Sequence, residues 1–138
     1  MKKYIYYKNI DVNEGVTSGQ VSKNDLFVTN KYIFLIQRSS VGMLGRTGAI
    51  SSTINYDEFN MEIESMINDA TISEIEKRIC EFVGEAGTYE INILESLKIQ
   101  VGFWIIGGLW IKKQGENKKA INLQPKSRRQ ELKDFLGI

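Results

Sequence analysis

A chain of 138 residues, 42% apolar and 25% charged, has the length and composition of one folded domain, and no low-complexity tract marks disorder. Histidine is absent, which removes the commonest general base and transition-metal ligand, so zinc sites and histidine-dependent nucleophile triads are excluded. The net charge of +1 conceals segregation: residues 1–55 carry seven basic and three acidic side chains, 56–95 two and eleven, 96–138 nine and three, a layout that predicts internal complementarity or a polar partner.

The opening MKKYIYYKNIDVNEG has no apolar run of signal-peptide length. With one cysteine, Cys80, which cannot close an intrachain disulfide, the expected location is the cytoplasm. Tyr4 to Tyr7 are β-prone and predict a first strand over 3–8, with a weak second around Val16 to Val21. In DLFVTNKYIFLIQR, the blocks Leu26–Thr29 and Tyr32–Gln37 flank Asn30 and Lys31 as the arms of a hairpin. Residues 39–53, with Gly42, Gly45 and Gly48, read as a loop without the spacing or the Lys-Ser/Thr ending of a phosphate-binding loop.

From Asn55 the period becomes helical, with Phe59, Ile63, Met66 and Ile67 on one face. Thr71 to Glu74, T-I-S-E, is a capping box opening a second helix. Its stripe is Ile72, Ile75, Ile79, Phe82 and Val83, with Cys80 as buried filler and Gly84 as its end. Glu62, Glu64, Asp69, Glu74, Glu76 and Glu81 belong mostly to the wet faces of this acidic pair. Period two returns in Tyr89, Ile91 and Ile93 and again in Leu97, Ile99, Val101 and Phe103. A last strand, Lys118–Gln124, follows the turn Gly115–Asn117 and stops at Pro125. Ser127 and Gln130 have the spacing of a cap on a final helix that turns Leu132, Phe135 and Leu136 inward, with Gly137 after it.

The stretch FWIIGGLWIKK at 103–113 predicts a tight hairpin on Gly107–Gly108, placing Ile106 opposite Leu109, Ile105 opposite Trp110 and Trp104 opposite Ile111. Both faces of that ribbon would be apolar. Either both are covered, one by the acidic helices, or one is an exposed patch serving a partner, another copy included. Val101 to Ile111 is too short for a bilayer-crossing helix, which needs about 20 residues, although shallow interfacial insertion fits tryptophan followed by lysine. Burial alone accounts for tryptophan, since 150–250 Å² at about 25 cal/mol per Å² is roughly 4–6 kcal/mol as an upper bound. Partner-binding candidates are therefore Trp104, Ile106, Leu109 and Trp110.

Lys112, Lys113, Lys118 and Lys119 on that hairpin, followed by Lys126, Arg128, Arg129 and Lys133, are anion-binding candidates for an anionic lipid or another polyanion. No aromatic-interleaved nucleic-acid motif accompanies them. The alternative is a solvated face complementing the acidic helices. Neither a cofactor nor a metal nor a catalytic motif is indicated.

Within Gly19 to Ile36, the residues Leu26, Val28, Thr29, Asn30, Tyr32, Phe34 and Ile36 resemble the hairpin of pleckstrin-homology-like modules of the GRAM and bacterial PH type, and the final helix resembles their capping helix. The resemblance implies two antiparallel sheets and a helix serving as a non-catalytic binding scaffold. The helices over about 55–84 would be an insertion, and no lysine-arginine signature in the first inter-strand loop carries phosphoinositide binding over. Chain order independently gives about eight strands and three helices in an α+β single domain over 1–138; the resemblance implies that these form a partly open barrel with the acidic helical pair inserted and a C-terminal helix. A non-catalytic interaction module is the leading functional expectation.

Overall fold

The computed structural model describes residues 3–13, 21–38, 56–101 and 108–138. These form one antiparallel sheet of seven described strands: β1 (Ile5–Asn13), β2 (Val21–Val28), β3 (Tyr32–Gln37), β4 (Thr88–Glu90), β5 (Ser96–Ile99), β6 (Gly108–Lys112) and β7 (Lys119–Asn122). Three helices complete it: α1 (Tyr56–Asp69) and α2 (Ile72–Val83) between β3 and β4, and α3 (Ser127–Leu136) after β7. The α+β architecture with an inserted helical pair and a last helix is as the sequence predicts. The strand order β4-β3-β2-β1-β7-β6-β5 makes it one curled half-barrel sheet instead of two separate sheets. No described helix is long and apolar enough to cross a membrane.

The curl follows from β1. Its first half pairs with β2, Ile5 opposite Val28 and Tyr7 opposite Leu26, and the register then shifts at Asn9, which has a φ of 60°. Asparagine tolerates this left-handed conformation better than most residues. Asn9 donates its N–H to Asp25 Oδ1 at 2.9 Å. Only beyond the bulge does β1 pair with β7, from Asp11 to Asn13. Such a bulge bends and twists its strand, joining the meander β1–β4 to the meander β5–β7.

Period-two alternation then sorts the apolar side chains into two cores. On the inner face Ile5, Tyr7, Leu26, Val28, Ile33, Leu35 and Tyr89 meet Leu109, Ile111 and Ile121 beneath Leu132 of α3. On the outer face Phe27, Phe34 and Ile36 meet Phe59 and Ile63 of α1 and Ile75 and Ile79 of α2, with Phe59 stacked on Phe82 at 3.8 Å. Both arms of the predicted 26–37 hairpin are thus buried on both sides, which explains their continuous apolar runs. The α2 end approaches β3 so closely that a Cβ on Gly87 would stand 2.7 Å from the Leu35 carbonyl oxygen.

The Thr71 capping box forms in both directions, and Gly84 follows α2 as expected. Cys80 is exposed, not buried: it follows Ile79 by about 100° of helical rotation, off the buried stripe. Glu76 is buried. The Tyr89 alternation ends early, because Ile91–Ile93 form a 3₁₀ turn after the three-residue β4. Ser127 opens α3 as a helical residue and gives no side-chain cap; Gln130 bonds Asp134 instead of reaching back.

The tight turn on Gly107–Gly108 is corrected by the pairing of β6. Gly108 already belongs to the strand, and Ile99 faces Leu109, Lys98 faces Trp110 and Leu97 faces Ile111, so the partners of 109–111 are not Ile106, Ile105 and Trp104. Gly108 has a φ of 109°, and a Cβ there would lie 2.6 Å from Arg129 Nε. Glycine is required for this close passage of the α3 arginine. The predicted 39–53 loop, most of the weak strand at 16–21, and Trp104 and Ile106 lie outside the described residues.

Candidate functional site

A cleft of about 910 Å³ runs beside the start of β1. Lys3, Tyr4, Ile5, Tyr6 and Tyr7 line one wall, Ile67 to Ile75 at the α1–α2 junction another, and Glu131 of α3 closes the far side. Tyr4 stacks on Phe27 with ring centroids 5.2 Å apart, and Tyr6 donates to Asn60 Oδ1 at 2.9 Å. Tyr7, on the inner face, donates to Glu131 Oε1 while the Arg128 guanidinium lies 4.4 Å from its ring centre. Burial raises the pKa of Tyr6 above the ordinary tyrosine value; burial and then the Glu131 hydrogen bond raise that of Tyr7. Both therefore line the cleft as neutral phenols at physiological pH.

The helical wall is held to the sheet by a buried acid. Asp25 is 0% exposed on the outer face of β2 and accepts from Asn9 N–H, from the Tyr56 hydroxyl at the start of α1, and from Arg38 Nη1 at 3.3 Å. Arg38 also stacks over Tyr56 at 4.9 Å. A carboxylate in this position requires such pairing, because an uncompensated buried charge is strongly destabilising. Lys8–Glu64, at 2.5 Å, adds an exposed tie from β1 to α1, and Arg78–Glu62, at 2.6 Å, ties α2 to α1; each hydrogen bond holds its glutamate below the usual carboxylate pKa.

The candidates from the last third of the chain are distributed, not clustered. Leu109 is fully buried in the inner core. Trp110 points outward from β6, partly buried, beside Lys98, Gln100 and Lys118 in a hollow of about 130 Å³. The acidic helices cover the outer face of β2 and β3, not this hairpin. Lys112 pairs with Glu95 at 2.9 Å, and Lys113 donates to the Glu85 carbonyl at 2.5 Å. Lys119 donates to the Tyr89 hydroxyl at 2.6 Å, and both Lys113 and Lys119 lie over the Tyr89 ring. These lysines tie β4 to the β6–β7 hairpin where the sheet curls round. Arg129 is 0% exposed and donates from Nε to the Leu123 carbonyl at 3.1 Å. Lys118 and Lys126 are exposed, and Lys133 is partly buried in the last turn of α3.

Among the described residues no group of three or more Cys, Asp or Glu side chains is placed to hold a metal ion. Sequence reasoning missed the cleft. The aromatic run at Tyr4–Tyr7 is legible as a strand, but its open edge is not, because that depends on where β7 ends. Comparison with protein-family models, with curated proteins and with solved structures gives no match.

Proposed function

We propose that the chain is a non-catalytic interaction module of pleckstrin-homology-like architecture that acts in the cytoplasm and binds a protein partner in the cleft beside β1. The observation that carries this reading is the cleft itself, a concave site of about 910 Å³ lined by tyrosines and isoleucines together with Lys3, Asp69, Thr71 and Glu131, a mixture of apolar walls and orienting polar groups that suits a binding site. The architecture is supported by two meanders joined through β1 and β7 with the last helix across the opening. The single cysteine, exposed on α2, suits a reducing compartment.

The test is selection of a displayed random octapeptide library on the native chain and on Ile72→Glu. That substitution changes the cleft wall at the first helical position of α2, where an acidic side chain suits the helix dipole. Sequences enriched by the native chain and lost on the folded variant support the reading; equal recovery on both defeats it.

A second reading, polyanion binding, is favoured by one observation: Trp110 stands on the outward face with Lys98 and Lys118 beside it. Sedimentation with anionic vesicles that weakens with salt and is lost in Lys98→Glu/Lys118→Glu would support it. Vesicle binding unaffected by that double substitution would remove it.

A further inference from the structure

We infer that the partner enters the cleft as an extended, lysine- or arginine-bearing segment that adds a strand to the open edge of β1; this rests on the interaction-module reading above. The first support is geometric. Side chains of a strand alternate between its two faces, yet Ile5, Tyr6 and Tyr7 of β1 all border one cleft, as do Lys3 and Tyr4 leading into the strand. A cleft on either face would be lined by every second residue. One that touches all five runs along the strand's edge.

That edge is unoccupied by any described strand. β7 fills the lane beside β1 opposite Asp11–Asn13 only, and the chain leaves the sheet through Gln124 and Pro125 towards α3. Beside Ile5–Tyr7 the pairing among the described strands is with β2 alone. A strand edge of this kind presents a row of backbone donors and acceptors to an incoming chain. From Ile5 to Ile10, before β7 begins to pair at Asp11, the edge measures about 17 Å at roughly 3.4 Å per residue, room for a strand of about five residues. The walls stand where such a strand needs them: Ile67, Ile72 and Ile75 on one face and Glu131 on the other.

Charge selects the partner. α1 and α2 carry eight acidic and two basic side chains between Tyr56 and Val83. Asp69 is exposed on the cleft wall at the end of α1, Glu131 closes the other side, and Lys3 is the one cation among the described lining residues. A basic segment is complementary to this wall, and an acidic one is repelled.

The experiment takes the octapeptides enriched in the cleft selection and remakes each with single backbone N-methyl groups. In an added antiparallel strand, alternate residues direct their N–H groups to the host strand. Methylation at every second position should therefore abolish binding while the intervening positions tolerate it. The enriched sequences should carry lysine or arginine, and Asp69→Lys, with the fold verified by circular dichroism, should weaken them by about five- to tenfold at low salt. Cleft-dependent peptides that are indifferent to N-methylation, or that lack basic residues and ignore Asp69→Lys, overturn the strand-addition inference and leave the interaction reading standing. Failure of any sequence to distinguish the native chain from Ile72→Glu overturns both. A concentration-dependent dimer whose formation protects the amides of 4–7 from exchange would assign the edge to a second copy and likewise overturn the inference.

Discussion

The two halves of the curled sheet are built to different standards of cover. β2 and β3 are buried on both faces, against the inner core on one side and the α1–α2 pair on the other. β6 and β7 share the inner core, but their outward face shows Trp110, Ala120 and Lys118 with no described helix over them. Among the described residues, one half therefore draws stability from two layers and the other from one. The difference bears on the strand-addition proposal: the doubly covered half can leave the edge of β1 without a described strand because its faces already hold it in place.

The sharpest way to break the comparison is to remove the outer layer's centre. Phe59 is 1% exposed and stacks on Phe82, so Phe59→Ala should cost about 3–5 kcal/mol in urea denaturation. A loss below about 1 kcal/mol would mean that the helical pair contributes little to the first half. Next come the two glycines that permit close approach. Gly87→Ala drives a Cβ against the Leu35 carbonyl, which is fixed in β3, whereas Gly108→Ala meets the buried Arg129 side chain at a φ of 109°. Each should cost about 1–3 kcal/mol. Combining Gly108→Ala with Arg129→Met should give less than the sum of the single losses, because the clash is then with a more yielding side chain.

How much of this was legible in the chain varies with the range of the interaction. The helices are readable because their signals are local: T-I-S-E fixes the start of α2, and the Phe59–Ile63 and Ile75–Ile79 spacings fix the buried faces. The hairpin at 26–37 is readable for the same reason. The register at 107–111 is not, since glycine permits a tight turn without compelling one, and the pairing of Trp110 with Lys98 is set by β7 and the inner core. Asp25 carries no sequence mark that separates it from a surface aspartate; its role depends on Asn9, Arg38 and Tyr56, which are brought to it only by the folded sheet and helix. The cleft fails to show in sequence for a related reason. It is defined by where β7 stops.

The tyrosines offer a gentler probe of the covered half. Burial raises the pKa of Tyr6, Tyr7 and Tyr56 above the ordinary 10, with the Glu131 hydrogen bond adding for Tyr7 and the Asp25 hydrogen bond for Tyr56. An acid whose folded pKa is raised keeps its proton in the native state while the unfolded chain releases it. The native state then binds more protons, so stability is fully present below pH 10 and declines as pH rises beyond it. Urea midpoints at pH 9 and 11 should fall in that order, and Tyr7→Phe should shrink the fall. At the acidic end Glu74 is held below the usual carboxylate range by the Thr71 backbone N–H, so its contribution is present above about pH 4.5 and lost as pH falls below it. Thr71→Ala, which deletes one arm of the box, should cost about 1 kcal/mol.

The smallest effect is expected at the most conspicuous residue. Trp110 faces outward from β6 beside Lys98 and Lys118 and is absent from both cores, so Trp110→Lys removes partial burial without opening an internal cavity. Its cost should be about 1 kcal/mol or less, well under the loss for Leu109→Ala one residue earlier, which empties a fully buried site and should cost about 2–5 kcal/mol. The pair separates the two faces of one strand, and light scattering adds a second readout. A native oligomer that Trp110→Lys converts to a folded monomer would place the outward face in an interface and supply the cover that the second half otherwise lacks. A monomer that stays folded with the substitution would leave β6 covered on one face, and would direct the search for a partner to the edge of β1.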